Sequence, residues 1–174
     1  MIVSLTWDDI ETAAWVGMRR SLARLQLSII DKYGANGPGN GGFDTDVLGA
    51  IVEQAVAQYF NLHWRSRIGF VRAVDVGGCI EVKSARRDND RLLLHHDNPD
   101  DLPFVLGIVK SLPHVDLRGW ILARDGKVDA HWDDPVGGRP AFFVPQSALR
   151  PMPELSLHLR GVLGRYQQRE EDAI

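Results

Sequence analysis

Ala73-Val74-Asp75-Val76-Gly77-Gly78-Cys79-Ile80-Glu81-Val82-Lys83-Ser84 is the stretch on which the fold turns. An aspartate sits in one apolar run, two glycines turn the chain, and a Glu-Val-Lys triplet opens the next run. Strand period puts Glu81 and Lys83 on one face and Val82 on the other. Flanked by Ile80 and Val82, these charges predict a half-buried strand. Whether Asp75 joins their face depends on the turn. A two-residue loop at Gly77-Gly78 pairs Val74 with Glu81 and points Asp75 away; a three-residue loop, or a glycine bulge, pairs Asp75 with Glu81. In the second case two carboxylates face each other with Cβ atoms about 5 Å apart, which is unfavourable without a compensating cation. Two hard oxygen donors suit Mg²⁺ or Mn²⁺, which keeps several waters and takes further ligands from a substrate phosphate.

On the N-terminal side, Thr6 followed by Trp7, Asp8 and Asp9 reads as a helix start. Ile10, Ala13, Ala14, Met18, Leu22, Leu25 and Ile29 recur at helical spacing and predict an amphipathic helix to about Tyr33. Gly34 to Gly42, with five glycines and a proline, predicts a loop. A second helix is expected from Asp44 to about Phe60, where Val47, Leu48, Ile51, Val52, Ala55, Val56 and Tyr59 form a broad apolar face and Glu53 lies inside it. Strands are expected near residues 68–76, 79–84, 91–95, 104–109, 117–124 and 141–144. Asp125-Gly126 predicts a hairpin turn, and residues 155–168 a closing helix. Helices, then strands, then a helix argue for α+β with a mostly antiparallel or mixed sheet.

The chain has 174 residues, one cysteine (Cys79) and a net charge of −3. That length fits a single domain: a helix and glycine-rich loop over 1–43, a core over 44–124, and a C-terminal strand and helix over 125–174. A lone cysteine, no positive region ahead of an apolar run and no long apolar stretch predict a cytoplasmic, intracellular protein without a signal peptide or membrane partner. Net charge alone does not suggest nucleic acid. The middle of the chain is locally basic, however, with Arg65, Arg67, Arg72, Lys83, Arg86, Arg87 and Arg91 against Asp75, Glu81, Asp88 and Asp90.

Asp75, five residues, then Glu81-Val82-Lys83 resembles the Asp-Xn-Glu-X-Lys motif of the PD-(D/E)XK nuclease superfamily, with Val74 where proline often stands. Glu53 matches, in order and helix context, the carboxylate that often completes the site in those enzymes. The resemblance spans roughly residues 44–124. Phe104-Val105-Leu106, Gly119-Trp120-Ile121 and Phe142-Phe143-Val144-Pro145 are similar to pieces of small phage-associated proteins of this type. The resemblance implies a restriction-endonuclease-like core, a central mixed or antiparallel sheet flanked by helices, and metal-dependent hydrolysis of phosphodiester bonds, with DNA as the expected substrate and RNA left open. It implies that Asp75, Glu81 and the Val82 carbonyl hold Mg²⁺ or Mn²⁺, with Glu53 joining directly or through water. Lys83 would position the attacking water and offset developing charge. Arg86, Arg87 and Arg91 become candidates for phosphate contacts that position substrate without reading its sequence.

Plainer readings stand beside these. A Glu-X-Lys strand is by itself an ordinary solvated face, and a helical Glu usually is too. The same residues suit a non-catalytic binding module that keeps the nuclease fold, or an unrelated interaction protein with a structural ion pair. His95 and His96, adjacent on a strand, project to opposite faces and cannot share one ion. Trp7, Trp15, Trp64, Trp120 and Trp132 read as core.

Overall fold

The structure, a computed structural model, describes residues 1–27, 42–64, 66, 68, 74–135 and 137–171, without side chains at 42 and 162–171. Strand β1 (Ile2–Ser4) leads into helix α1 (Trp7–Gln26), and helix α2 spans Gly42–Phe60. Then come β2 (Glu81–Ala85), β3 (Leu92–Leu94), β4 (Pro103–Ser111), β5 (His114–Leu122) and the short helix α3 (Ala123–Gly126). After a 3₁₀ turn at Asp129–His131, β6 (Trp132–Asp133), β7 (Ala141–Val144), a second 3₁₀ turn at Gln146–Ala148 and helix α4 (Met152–Glu171) finish the chain.

Two sheets result. One has the order β1-β5-β4-β2 and the other β3-β7-β6. β4 pairs antiparallel with β5, and β5 with β1, whereas β2 runs parallel to β4, with Glu81 beside Phe104 and Lys83 beside Leu106. A parallel pair needs a crossover. Here the chain leaves β2, adds β3 to the second sheet, and only then returns as β4. The architecture is therefore α+β with a mixed sheet.

Alternation along the strands sorts the core into two layers. Val82 and Val105 pack with Ile51, Val52, Ala55 and Val56 of α2, while Phe104, Leu106 and Ile121 pack with Leu92, Leu94, Phe142 and Val144 of the second sheet. The four-stranded sheet thus lies between the helices and the smaller sheet. Glu81 and Lys83, opposite in parity to Val82, belong to the face that meets the smaller sheet.

Helix α1 starts as expected: Thr6 Oγ1 accepts the Asp9 amide at 3.1 Å, and Asp9 Oδ2 accepts the Thr6 amide, closing a capping box. Its orientation differs from the expectation. Ile10 and Ala13 are buried, but Met18, Leu22 and Leu25 face outward together with Trp7 and Trp15. The cause is polar. Ser21 and Arg24 donate to Asp46 of α2, and Arg20 to Glu53, so the helix turns its arginines inward and its apolar stripe out. Gly17 makes this crossing close, since a Cβ there would sit 2.5 Å from Val47 Cα and 2.6 Å from Asp46 O.

Other expectations need correction. Asp125-Gly126 does not turn a hairpin; it lies in α3, and Gly126 is buried where a Cβ would meet Leu94 at 2.5 Å. The strand expected at 68–76 contributes, among its described residues, only the bridges of Val76 to Trp64 and Ile80; residues 69–73 lie outside the described residues. The same holds for the end of the first predicted helix and for the glycine-rich loop up to residue 41. Gly42 belongs to α2, and the closing helix starts earlier than expected, at Met152. Of the five tryptophans, only Trp120 is buried; Trp64 is half-buried, Trp7 and Trp15 ride the outer face of α1, and Trp132 lies against His96 and Phe142.

Gly17→Ala would force a methyl group into the α2 backbone, where no flexible side chain can yield. A loss of about 1–3 kcal/mol is expected, as for overpacked cores. Urea unfolding tests this; an unchanged midpoint would show that the two helices can part without cost.

Candidate functional site

The loop between Val76 and Ile80 holds three residues. Val76 N donates to Ile80 O at 3.0 Å, Ile80 N returns a bond of 3.1 Å to Val76 O, and Gly77, Gly78 and Cys79 span the gap. Gly77 (φ 59°) and Gly78 (φ 71°) both occupy the left-handed region, where residues with a Cβ are disfavoured. The bridge is isolated; one residue further in the same register, Asp75 would stand opposite Glu81. The odd loop is thus the one observed.

Past this pair the ladder changes. Asp75 Oδ2 accepts the Val82 amide at 2.8 Å, taking the hydrogen that a regular hairpin would hand to the Val74 carbonyl. The amide and carbonyl of one strand residue project to the same edge, so the Val82 carbonyl faces the edge that Asp75 covers. Lys83 lies on the Glu81 face, its Nζ 5.6 Å from the centre of the Phe104 ring. Both Glu81 and Lys83 are half-buried.

Charge is unbalanced at Asp75. Burial, then the neighbouring charges of Glu53 and Glu81, push its carboxyl up to about 8, against the opposing pull of the Val82 amide and Lys83. Burial and like charge both disfavour the ionised form of a carboxyl.

Glu53 is buried and already engaged. Arg20 grips it with two parallel bonds, Nη1 to Oε1 at 2.6 Å and Nη2 to Oε2 at 2.8 Å, and Trp64 Nε1 donates to Oε2 at 2.9 Å. Burial works against the Arg20 charge, but the hydrogen bonds and charge of Glu53 outweigh it and hold the guanidinium above its ordinary value. Asp75 and Asp46 add smaller contributions of the same sign.

Among the described residues, no group of three or more His, Cys, Asp or Glu side chains converges as a metal nest. Asp75, Glu81 and the Val82 carbonyl are hard oxygens of the kind that suit Mg²⁺ or Mn²⁺. Cys79 is a weak nucleophile, because burial raises its thiol. No protein-family model, curated protein or solved structure matches the chain.

The basic candidates fall in two places. Arg86 and Arg87 donate their amides to Asp90 Oδ2 in an exposed turn after β2, with the Arg86 guanidinium 3.6 Å from Asp44. Arg91 is turned to the smaller sheet, 3.1 Å from Asp133 and stacked on Phe143. Sequence reading missed Arg20 and Trp64. The signal for Arg20 was present: it follows Ile10, Ala13 and Gly17 at helical spacing, on the buried side.

Asp75 makes stability depend on pH in a defined direction. Its folded value of about 8 lies above the 3.8 of an ordinary aspartate, so the unfolded chain gives up this proton first. The group's contribution is therefore fullest below pH 4 and is lost as pH rises toward 8. Asp75→Asn, which keeps an acceptor for the Val82 amide, is expected to gain on the wild type across that interval and level off above it. Urea midpoints from pH 4 to 9 in EDTA measure this, and parallel curves for the two proteins would refute it.

Proposed function

We propose that this chain is a metal-dependent nuclease with a restriction-endonuclease-like core, hydrolysing phosphodiester bonds of DNA. The observation that carries this reading is the three-residue glycine turn, which brings the buried Asp75 carboxyl to the start of β2, beside the charges of Glu81 and Lys83. A helix that supplies Glu53, a hairpin edge that supplies Asp75 and a mixed sheet that supplies Glu81 and Lys83 support the fold assignment.

Asp75, Glu81 and the Val82 carbonyl would hold Mg²⁺ or Mn²⁺, which when bound supplies polarisation of a phosphate and a more acidic water. The protein does the rest. The Val82 amide orients Asp75, so this ligand enters the site in one rotamer. The Lys83 ammonium, 5.6 Å from the centre of the Phe104 ring, would hydrogen-bond a water or offset charge gathering on a phosphate oxygen. Arg86 and Arg87, exposed beyond β2, suit backbone phosphate contacts that carry no sequence information. Arg91 suits them less, being tied to Asp133.

The alternative is a binding module that retains the fold without catalysis. It is favoured by the engagement of Glu53 with Arg20 and Trp64, which resembles a structural ion pair. Among the described residues no helix is long and apolar enough to cross a membrane.

With Mg²⁺ or Mn²⁺ present, the wild-type protein should cut at least one of linear, circular and single-stranded DNA, and the form cut identifies the substrate. Lys83→Ala and Asp75→Ala should each slow cleavage at least a hundredfold, and EDTA should stop it. Cleavage that survives in both variants would place the chemistry elsewhere. No cleavage of any substrate, with no metal binding by calorimetry, would leave the binding module.

A further inference from the structure

A carboxylate offers about four lone-pair sites on its two oxygens. At Glu53, Arg20 occupies one site on each oxygen and Trp64 a second on Oε2. A cation on the remaining Oε1 site would share that atom with a guanidinium whose Nη1 lies 2.6 Å away. The neutralising charge at Glu53 is therefore already present and covalently part of the protein. Among the described residues, no guanidinium grips Asp75 or Glu81 in this two-pronged way; Asp75 feels the Lys83 charge and adds a smaller contribution at Arg20. The fork geometry matters as much as the charge, since only a planar, two-pronged donor fills both oxygens at once.

On the metal-site reading given above, we propose that Arg20 is the built-in counter-cation of Glu53, so that the site takes a single divalent ion on Asp75 and Glu81 and Glu53 binds none. Arg20 acts through Glu53 and is a positioning residue. It removes one carboxylate from competition for the ion and stands where a second metal ion would otherwise be required. Trp64 locks the arrangement by holding Oε2, so the carboxylate cannot rotate without giving up a hydrogen bond in a buried place.

Mn²⁺ titration calorimetry on the whole chain tests the assignment without reference to activity. Wild type is expected to bind one Mn²⁺, and Arg20→Lys, which keeps the charge, should keep that stoichiometry. The double variant Arg20→Met with Glu53→Gln removes the pair together, which avoids leaving one buried charge alone. It should bind one Mn²⁺ within threefold of the wild-type affinity. Arg20→Met alone frees Glu53 as a donor, and should bind Mn²⁺ at least tenfold more tightly or take up a second ion. A merely structural arginine predicts the reverse, weaker binding in step with lost stability. Two Mn²⁺ on the wild type, or a tenfold loss of affinity in a double variant whose circular dichroism matches wild type, would overturn the inference by making Glu53 a ligand. No Mn²⁺ on the wild type would overturn the metal-site reading itself, and this inference with it.

Discussion

Two glycines in left-handed conformation, Gly77 and Gly78, set the register of everything near the site. Side chains along a strand alternate with period two, so one residue more or fewer in the loop would send Asp75 to the face opposite Glu81. With three residues in the loop, Val76 and Ile80 pair, Asp75 meets the start of β2, and the Val82 amide becomes its hydrogen-bond donor. Neither glycine can carry a side chain there without strain. The electrostatic character of the site, a buried Asp75 beside the charges of Glu53, Glu81 and Lys83, follows from that backbone choice.

A second constraint runs between the helices. Arg20, Ser21 and Arg24 on α1 meet Asp46 and Glu53 on α2, forming a polar seam in a place that a hydrophobic wheel would assign to leucines. Buried ion pairs add little net stability when their desolvation is counted, yet they punish misalignment, because an unpaired member is costly. The seam therefore fixes the rotation of α1 more firmly than its apolar residues could. The outward stripe of Trp15, Met18, Leu22 and Leu25 is the counterpart of that choice.

These two constraints mark how far the sequence alone could be read. The Thr6 cap, the apolar face of α2 and the β-branched and aromatic run of β7 are local signals, and the elements formed where those signals lie. Glu81 and Lys83 share a face because strand period allows nothing else. The position of Asp75 was legible only as a choice between two loops, since glycine permits both. The rotation of α1 was not legible, because it depends on which acids of a distant helix face it. Asp125-Gly126 misled for a similar reason: its turn chemistry is genuine, but Leu94 and Val144 close over Gly126 and the next strand lies in the other sheet. β1, of three residues, was too short to register.

On β4, Gly107 leaves a gap that Val52 fills, its Cγ1 only 2.3 Å from where a Cβ would project. Val52 immediately precedes Glu53, so the dent in the strand works as a detent for the helix, stopping it from rolling about its own axis. The aim of a buried acid is thereby delegated to a position that carries no functional group at all. In descent, such a pair can change only in concert: a larger residue at 107 demands a smaller one at 52. Kindred chains can be expected to vary freely on the outer face of α2 while this silent couple stays fixed.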